Sequence, residues 1–177
     1  YICKIFAMIL IVLIVFTGCG QNRITEKEEK KETVESEMNA EVKKTAQTFR
    51  SVYMKEKSEL NTLKVKRKII NCLEEKGYAA VDCDNQIDMV NREKVEEFCK
   101  AAEKEEQAAV DIVVVFDEGE IIQYHLESMN GKINVRLCQV KWKDNSPQAN
   151  YYDEYEAYEW KYTEKGYLFL EEYHPPG

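Results

Sequence analysis

The chain has 177 residues, with 33 acidic against 25 basic side chains and a net charge of −8. That acidic balance argues against a nucleic-acid partner, which needs Lys and Arg clustered on one face. Seven glycines, and no P-loop, GxGxxG, GxSxG or HExxH string, argue against phosphate-cradling loops and against the commonest hydrolase and zinc-peptidase sites.

Ile5–Phe16 is an unbroken apolar run with Lys4 in front of it. A membrane-spanning helix needs about 20 apolar residues, so this run is too short to span and instead fits the core of a secretory signal. It leads into Phe16-Thr17-Gly18-Cys19-Gly20, which resembles the lipobox of bacterial lipoprotein signals, with Phe16 where Leu is usual. The resemblance implies that residues 1–18 are a signal peptide, that the Cys19 thiol receives a diacylglyceryl group, and that Cys19 becomes the mature N-terminus. Acyl chains contribute about 0.8 kcal/mol per buried methylene, so two of them hold a protein stably on a bilayer. The competing readings are an ordinary secretory signal with a chance cysteine, or an uncleaved anchor. The chain begins with Tyr1, so the first residues of the signal are expected to precede it.

Residues 19–37 read as a charged flexible linker. Glu26-Lys27-Glu28-Glu29-Lys30-Lys31-Glu32 offers no apolar side chain to bury, so it stays solvated or forms a marginal helix. Residues 38–177 then read as one α+β domain, expected to be cut short at its C-terminus. A first helix is predicted from about Met38 to Lys57, with Val42, Ala46, Phe49, Val52 and Tyr53 on one stripe. A second runs from about Ser58 to Lys76 on Leu60, Leu63, Ile70 and Leu73, and Gly77 ends it. Ala79 to Val90 is extended or loop. Asn91 is the expected N-cap of a third helix reaching about Glu105, with Val95, Phe98, Cys99 and Ala102 on its apolar stripe.

After Gln107 the period changes to two, and five strands are predicted at about 109–117, 120–128, 132–143, 151–162 and 167–173. Asn130-Gly131 is a strong hairpin signal that places Leu126 opposite Val135 and Tyr124 opposite Leu137. Lys143-Asp144-Asn145-Ser146-Pro147 reads as a looser loop. Ile112-Val113-Val114-Val115-Phe116 is apolar on both faces, so its strand belongs inside the sheet. The expected architecture is about three helices followed by a five-stranded antiparallel meander, with the helices packed on one face.

Cys72, Cys83, Cys99 and Cys138 remain once Cys3 leaves with the signal and Cys19 is acylated. They form an even set that an oxidising compartment could pair, but Cys72 and Cys99 sit among apolar neighbours as buried free thiols do. Asp82-Cys83-Asp84-Asn85-Gln86-Ile87-Asp88 has the outline of a calcium loop, yet Ile87 stands where the turn needs glycine. A polar loop is the better reading, and neither metal nor cofactor is expected. His125 and Cys138 fall diagonally on one sheet face, a pairing that serves nucleophilic catalysis only with an orienting third group. Tyr151–Tyr173 holds seven tyrosines and Trp160. Tyr158, Trp160 and Tyr162 alternate toward the core, while Tyr151, Tyr152 and Tyr155 are a candidate binding surface.

Asp84-Asn85-Gln86-Ile87-Asp88-Met89-Val90-Asn91 running into Val95-Glu96-Glu97-Phe98-Cys99 is similar to an uncharacterised family of lipoproteins from clostridia-like Firmicutes. Trp160-Lys161-Tyr162-Thr163-Glu164-Lys165-Gly166-Tyr167-Leu168 resembles it too. The likeness covers roughly residues 40–173 and implies a domain of unknown function, so no site residue transfers. The sequence therefore points to a non-enzymatic binding or scaffold lipoprotein on the outer face of the cytoplasmic membrane, secreted by the general pathway. Its partners would be the membrane, through the lipid, and an envelope protein or glycan. The alternative is an envelope hydrolase acting on glycans through carboxylates in residues 153–159.

Overall fold

Strong helix formers, chiefly Glu and Lys, fill the segment read as a linker. Accordingly helix α1 runs over Gln21–Gln47 and takes in most of that segment. The computed structural model describes residues 21–84 and 88–173, so the signal peptide and Cys19 lie outside the described residues. The chain divides after Val34, and every described strand lies in the unit that begins at Glu35.

Met38, Val42 and Ala46 recur on one helical face of α1 and are buried together with Phe49. The predicted first helix breaks at Thr48-Phe49, where the Thr48 hydroxyl bonds the Thr45 carbonyl at 2.7 Å. A short helix α2 (Arg50–Lys55) follows. Helix α3 (Leu63–Glu75) starts later than expected because Thr62 caps it, accepting the Val65 amide at 3.4 Å. It ends as expected at Gly77, whose φ of +84° lets the Tyr78 amide reach back to the Leu73 carbonyl at 3.1 Å.

Strand β1 (Ala79–Asp82), helix α4 (Arg92–Glu103) and strand β2 (Ala108–Val115) form a β-α-β unit in which β1 pairs parallel to β2. The expectation of a purely antiparallel sheet is corrected: the sheet is mixed, and the segment read as extended or loop supplies its parallel strand. Among the described residues the α-helices number four. Asn91 precedes α4 but does not cap it. At φ +50° its side-chain amide instead donates to the Tyr78 carbonyl at 2.8 Å, tying the start of α4 to the end of α3.

Strands β3 (Ile121–Met129), β4 (Lys132–Lys143) and β5 (Ser146–Glu156) complete a five-stranded sheet in the order β1-β2-β3-β4-β5. The doubly apolar β2 is interior, as expected, and Leu126 faces Val135 while Tyr124 faces Leu137. Asp144 and Asn145, with φ of +50° and +62°, make a tight two-residue turn where a looser loop was expected. Pro147 is tolerated because β5 is an edge strand.

The predicted strand 151–162 is in fact two. Ala157 is buried and its amide makes the last bond to the sheet, at Ile133. The Tyr158 amide then bonds Glu171, at the start of a separate hairpin of β6 (Glu159–Tyr162) and β7 (Leu168–Glu171). Tyr158 is consequently 62% exposed rather than in the core.

Helices lie on both faces of the sheet, which corrects the expectation that they pack on one. α1 and α3 cover Ala80, Val113, Val115, Ile121, Cys138 and Val140. α4, with β6 and β7, covers Ala79, Val110, Ile112, Leu126, Ile133 and Val135. The cause is β2, whose apolar residues point both ways and must be buried on both sides.

Leu126 is fully buried at the centre of the second layer. Leu126→Ala should cost about 2–5 kcal/mol in urea unfolding. The exposed Met129→Ala on the same strand should stay within about 0.5 kcal/mol of wild type.

Candidate binding site

The three tyrosines read as a surface do not share one face. Tyr152 pairs with Cys138 and packs toward the α1 side, whereas Tyr155 pairs with Val135 and belongs to the α4 side. Tyr151 is 52% exposed and donates to Asp153 at 3.2 Å. Burial and the neighbouring Glu154 push the Tyr152 hydroxyl up to about 12. Glu154, Glu156 and Glu159 are all exposed. Glu154 accepts the Tyr152 hydroxyl at 3.1 Å and Glu156 pairs with Lys132 at 2.6 Å.

His125 and Cys138 find separate partners. Cys138 is fully buried, its thiol pushed up to about 11 by burial and placed 3.1 Å from the Asn39 side-chain oxygen. His125 Nδ1 lies 2.8 Å from Asp111 Oδ1 and its Nε2 3.5 Å from Glu127, which in turn pairs with Arg136 at 2.6 Å. The hydrogen bond to Asp111 holds the imidazole above its usual range, against the opposing effect of burial. Asp111 also receives the Gln123 amide at 3.5 Å, and Gln123 bonds Glu41 at 3.1 Å and Thr45 at 2.7 Å. A polar thread thus runs from α1 across the sheet to Arg136. Cys72, Cys83, Cys99 and Cys138 are all free thiols.

Two of the three aspartates in the segment with the outline of a calcium loop, Asp84 and Asp88, are paired with lysine and arginine. Lys66, 1% exposed, lies between Asp84 at 2.5 Å and Asp117 at 2.6 Å, and Asp88 pairs with Arg67 at 3.3 Å. Burial pulls the Lys66 ammonium down, but the bonds to Asp117 and Asp84 outweigh it and hold it above the usual lysine range. Among the described residues no group of His, Cys, Asp and Glu is arranged to hold a metal ion. No helix among them is long and apolar enough to cross a membrane.

The arrangement best suited to a ligand lies between the sheet, α4 and the β6–β7 hairpin. Its volume is about 330 Å³. Val81, Ile112, Val114 and Leu126 give it an apolar floor, Met89 and Val95 a wall, and Leu168 and Leu170 a roof. Tyr124 and Tyr155 line it, and neither hydroxyl has a hydrogen-bond partner among the described residues. Burial raises both phenols, so both stay protonated donors. Among the described residues, the single charged side chain lining this pocket is Arg92. An apolar cavity with a few convergent polar groups is the usual form of a small-molecule site.

Neither Tyr124 nor Arg92 stood out in the sequence as functional. Each nevertheless carried a signal. Tyr124 lies in register with Ile122 and Leu126, where a hydroxyl must find a partner. Arg92 opens α4, where the helix dipole disfavours a cation.

The family model described as a family of unknown function, DUF6070, matches residues 31–177. This agrees with the expectation of an uncharacterised domain. The chain matches no curated protein and no solved structure.

The Asp111–His125 pair gives a pH dependence with a definite sign. Because the folded imidazole is raised above about 6.5, its stabilisation is complete below the unfolded value and is lost as pH rises through the folded one. In an NMR titration His125 should show a midpoint above 6.5. Asp111→Asn should lower that midpoint and flatten the slope of stability against pH between about 6.5 and the wild-type midpoint.

Proposed function

The chain belongs to the DUF6070 family of unknown function, and we propose that it is a non-enzymatic binding lipoprotein that holds a small apolar ligand beneath its β6–β7 hairpin. The observation that carries this reading is the pocket itself: apolar walls, with the Tyr124 and Tyr155 hydroxyls unpartnered among the described residues. Unpaired polar groups on an apolar wall are where a ligand gains orientation as well as burial. The anchor in this proposal is Cys19, which would fix the domain to the outer face of the cytoplasmic membrane. The charged segment after it would supply reach. The ligand would then be an extracytoplasmic molecule.

The hydrolase alternative needs two carboxylates facing one cleft at about 5–10 Å. Glu154, Glu156 and Glu159 are exposed and do not line the pocket, which favours binding over glycan hydrolysis. The separate partners of His125 and Cys138 also favour binding, since the thiol bonds Asn39 and the imidazole bonds Asp111.

Val114 lines the pocket from β2, and Val114→Trp should fill it. Wild-type protein should give saturable fluorescence with the dye anilinonaphthalene sulfonate, and the variant should lose it while still unfolding cooperatively. Dye binding unchanged by the filled pocket would overturn this reading. For the anchor, mass spectrometry of the membrane-extracted protein should find a diacylated N-terminal Cys19. A mature chain that starts elsewhere and carries no acyl group would sink it.

A further inference from the structure

The mouth of the pocket has a chemistry that its floor lacks. Arg92 spends its Nε on Glu96 at 2.9 Å, and among the described residues its terminal nitrogens have no hydrogen-bond partner. A side chain built at Gly166 would place its Cβ 3.6 Å from Arg92 Nη1 and 3.5 Å from the Tyr162 hydroxyl. Gly166, at φ +85°, lets both groups pack against the hairpin turn, where the Tyr162 hydroxyl donates to Glu96 at 3.5 Å and the terminal nitrogens of Arg92 remain for a ligand. No Asp or Glu lines the pocket among the described residues.

We propose that the pocket takes a small amphipathic monoanion, its apolar body on Val114 and Leu126 and its carboxylate on the terminal nitrogens of Arg92. The inference rests on the pocket reading above and adds the charge of the ligand. Three features support it. A guanidinium with free terminal nitrogens matches the two oxygens of a carboxylate. Arg92 is also the first residue of α4, which has no side-chain cap, so the positive end of the helix dipole lies at the same end of the site. Finally, an arginine at that position works against the helix, a local conflict of the kind found at functional sites.

Calorimetric titration of the whole protein with octanoate and with 1-octanol tests this. Octanoate should bind about tenfold more tightly than octanol, the scale of one charge-assisted hydrogen bond at a half-exposed site. Arg92→Gln should remove that difference by weakening octanoate. Arg92 is half-exposed, so Arg92→Gln should fold. Equal affinities in the wild type, or a preference that survives Arg92→Gln, would overturn the anion assignment and leave the pocket reading standing. Binding of neither compound would overturn both.

Discussion

Two parallel strands cannot be joined by a tight turn; the chain must leave the sheet and return. Here β1 leaves and β2 returns, with α4 between them. That helix has to lie on the face opposite α1 and α3, because those already cover the other side of β2. Once α4 is there, the far face of the sheet is only partly covered: α4 contacts β1, β2 and β3. Strands β4 and β5 need a second cover. The chain supplies it by turning away at Ala157 and folding β6 and β7 back as a hairpin. The pocket is the gap between these two covers.

Electrostatics fixes the ends of this arrangement. Lys66 reaches from α3 to Asp84, just beyond β1, and to Asp117, just beyond β2, so one ammonium pins both parallel strands to the same helix. A buried cation with only one carboxylate would be costly; two close acids, both open to water, satisfy its donors while keeping most of their own hydration. Asn91 does the corresponding work at the other end, joining the close of α3 to the opening of α4 through the Tyr78 carbonyl.

The hairpins were legible because their signals are local. Asn130-Gly131 fixes the turn, and alternation then fixes which residues meet. β1 was not legible, being four residues long and rich in alanine, with its partner Ile112 more than thirty positions from Ala79. Nothing within such a short window can announce a parallel neighbour so distant. The break at Ala157 was hidden for the opposite reason. Tyr158, Trp160 and Tyr162 continue the alternation of a strand without fault, and only the bond from Tyr158 to Glu171 shows that the chain has changed sheets. The site inherits that difficulty. Tyr124 is at the centre of a readable hairpin and Arg92 opens a readable helix, but what brings them to one cavity is the hairpin that the alternation disguised.

Gln123 has a bearing on how this fold avoids mistakes. Hydrophobic alternation is degenerate under a slip of two residues, because every inward side chain stays inward. A two-residue slip of β3 beneath α1 would move Gln123 away from Thr45 and bring Ile121 or His125 into its place. The buried Gln123 side-chain oxygen would then lose the Thr45 hydroxyl that donates to it at 2.7 Å, while Thr45 would keep Tyr78 at 3.0 Å. Each buried group left unpaired costs about 1–3 kcal/mol. The amide therefore works as an error-checking mark on an otherwise repetitive strand, rejecting misaligned states that greasy contacts alone would accept.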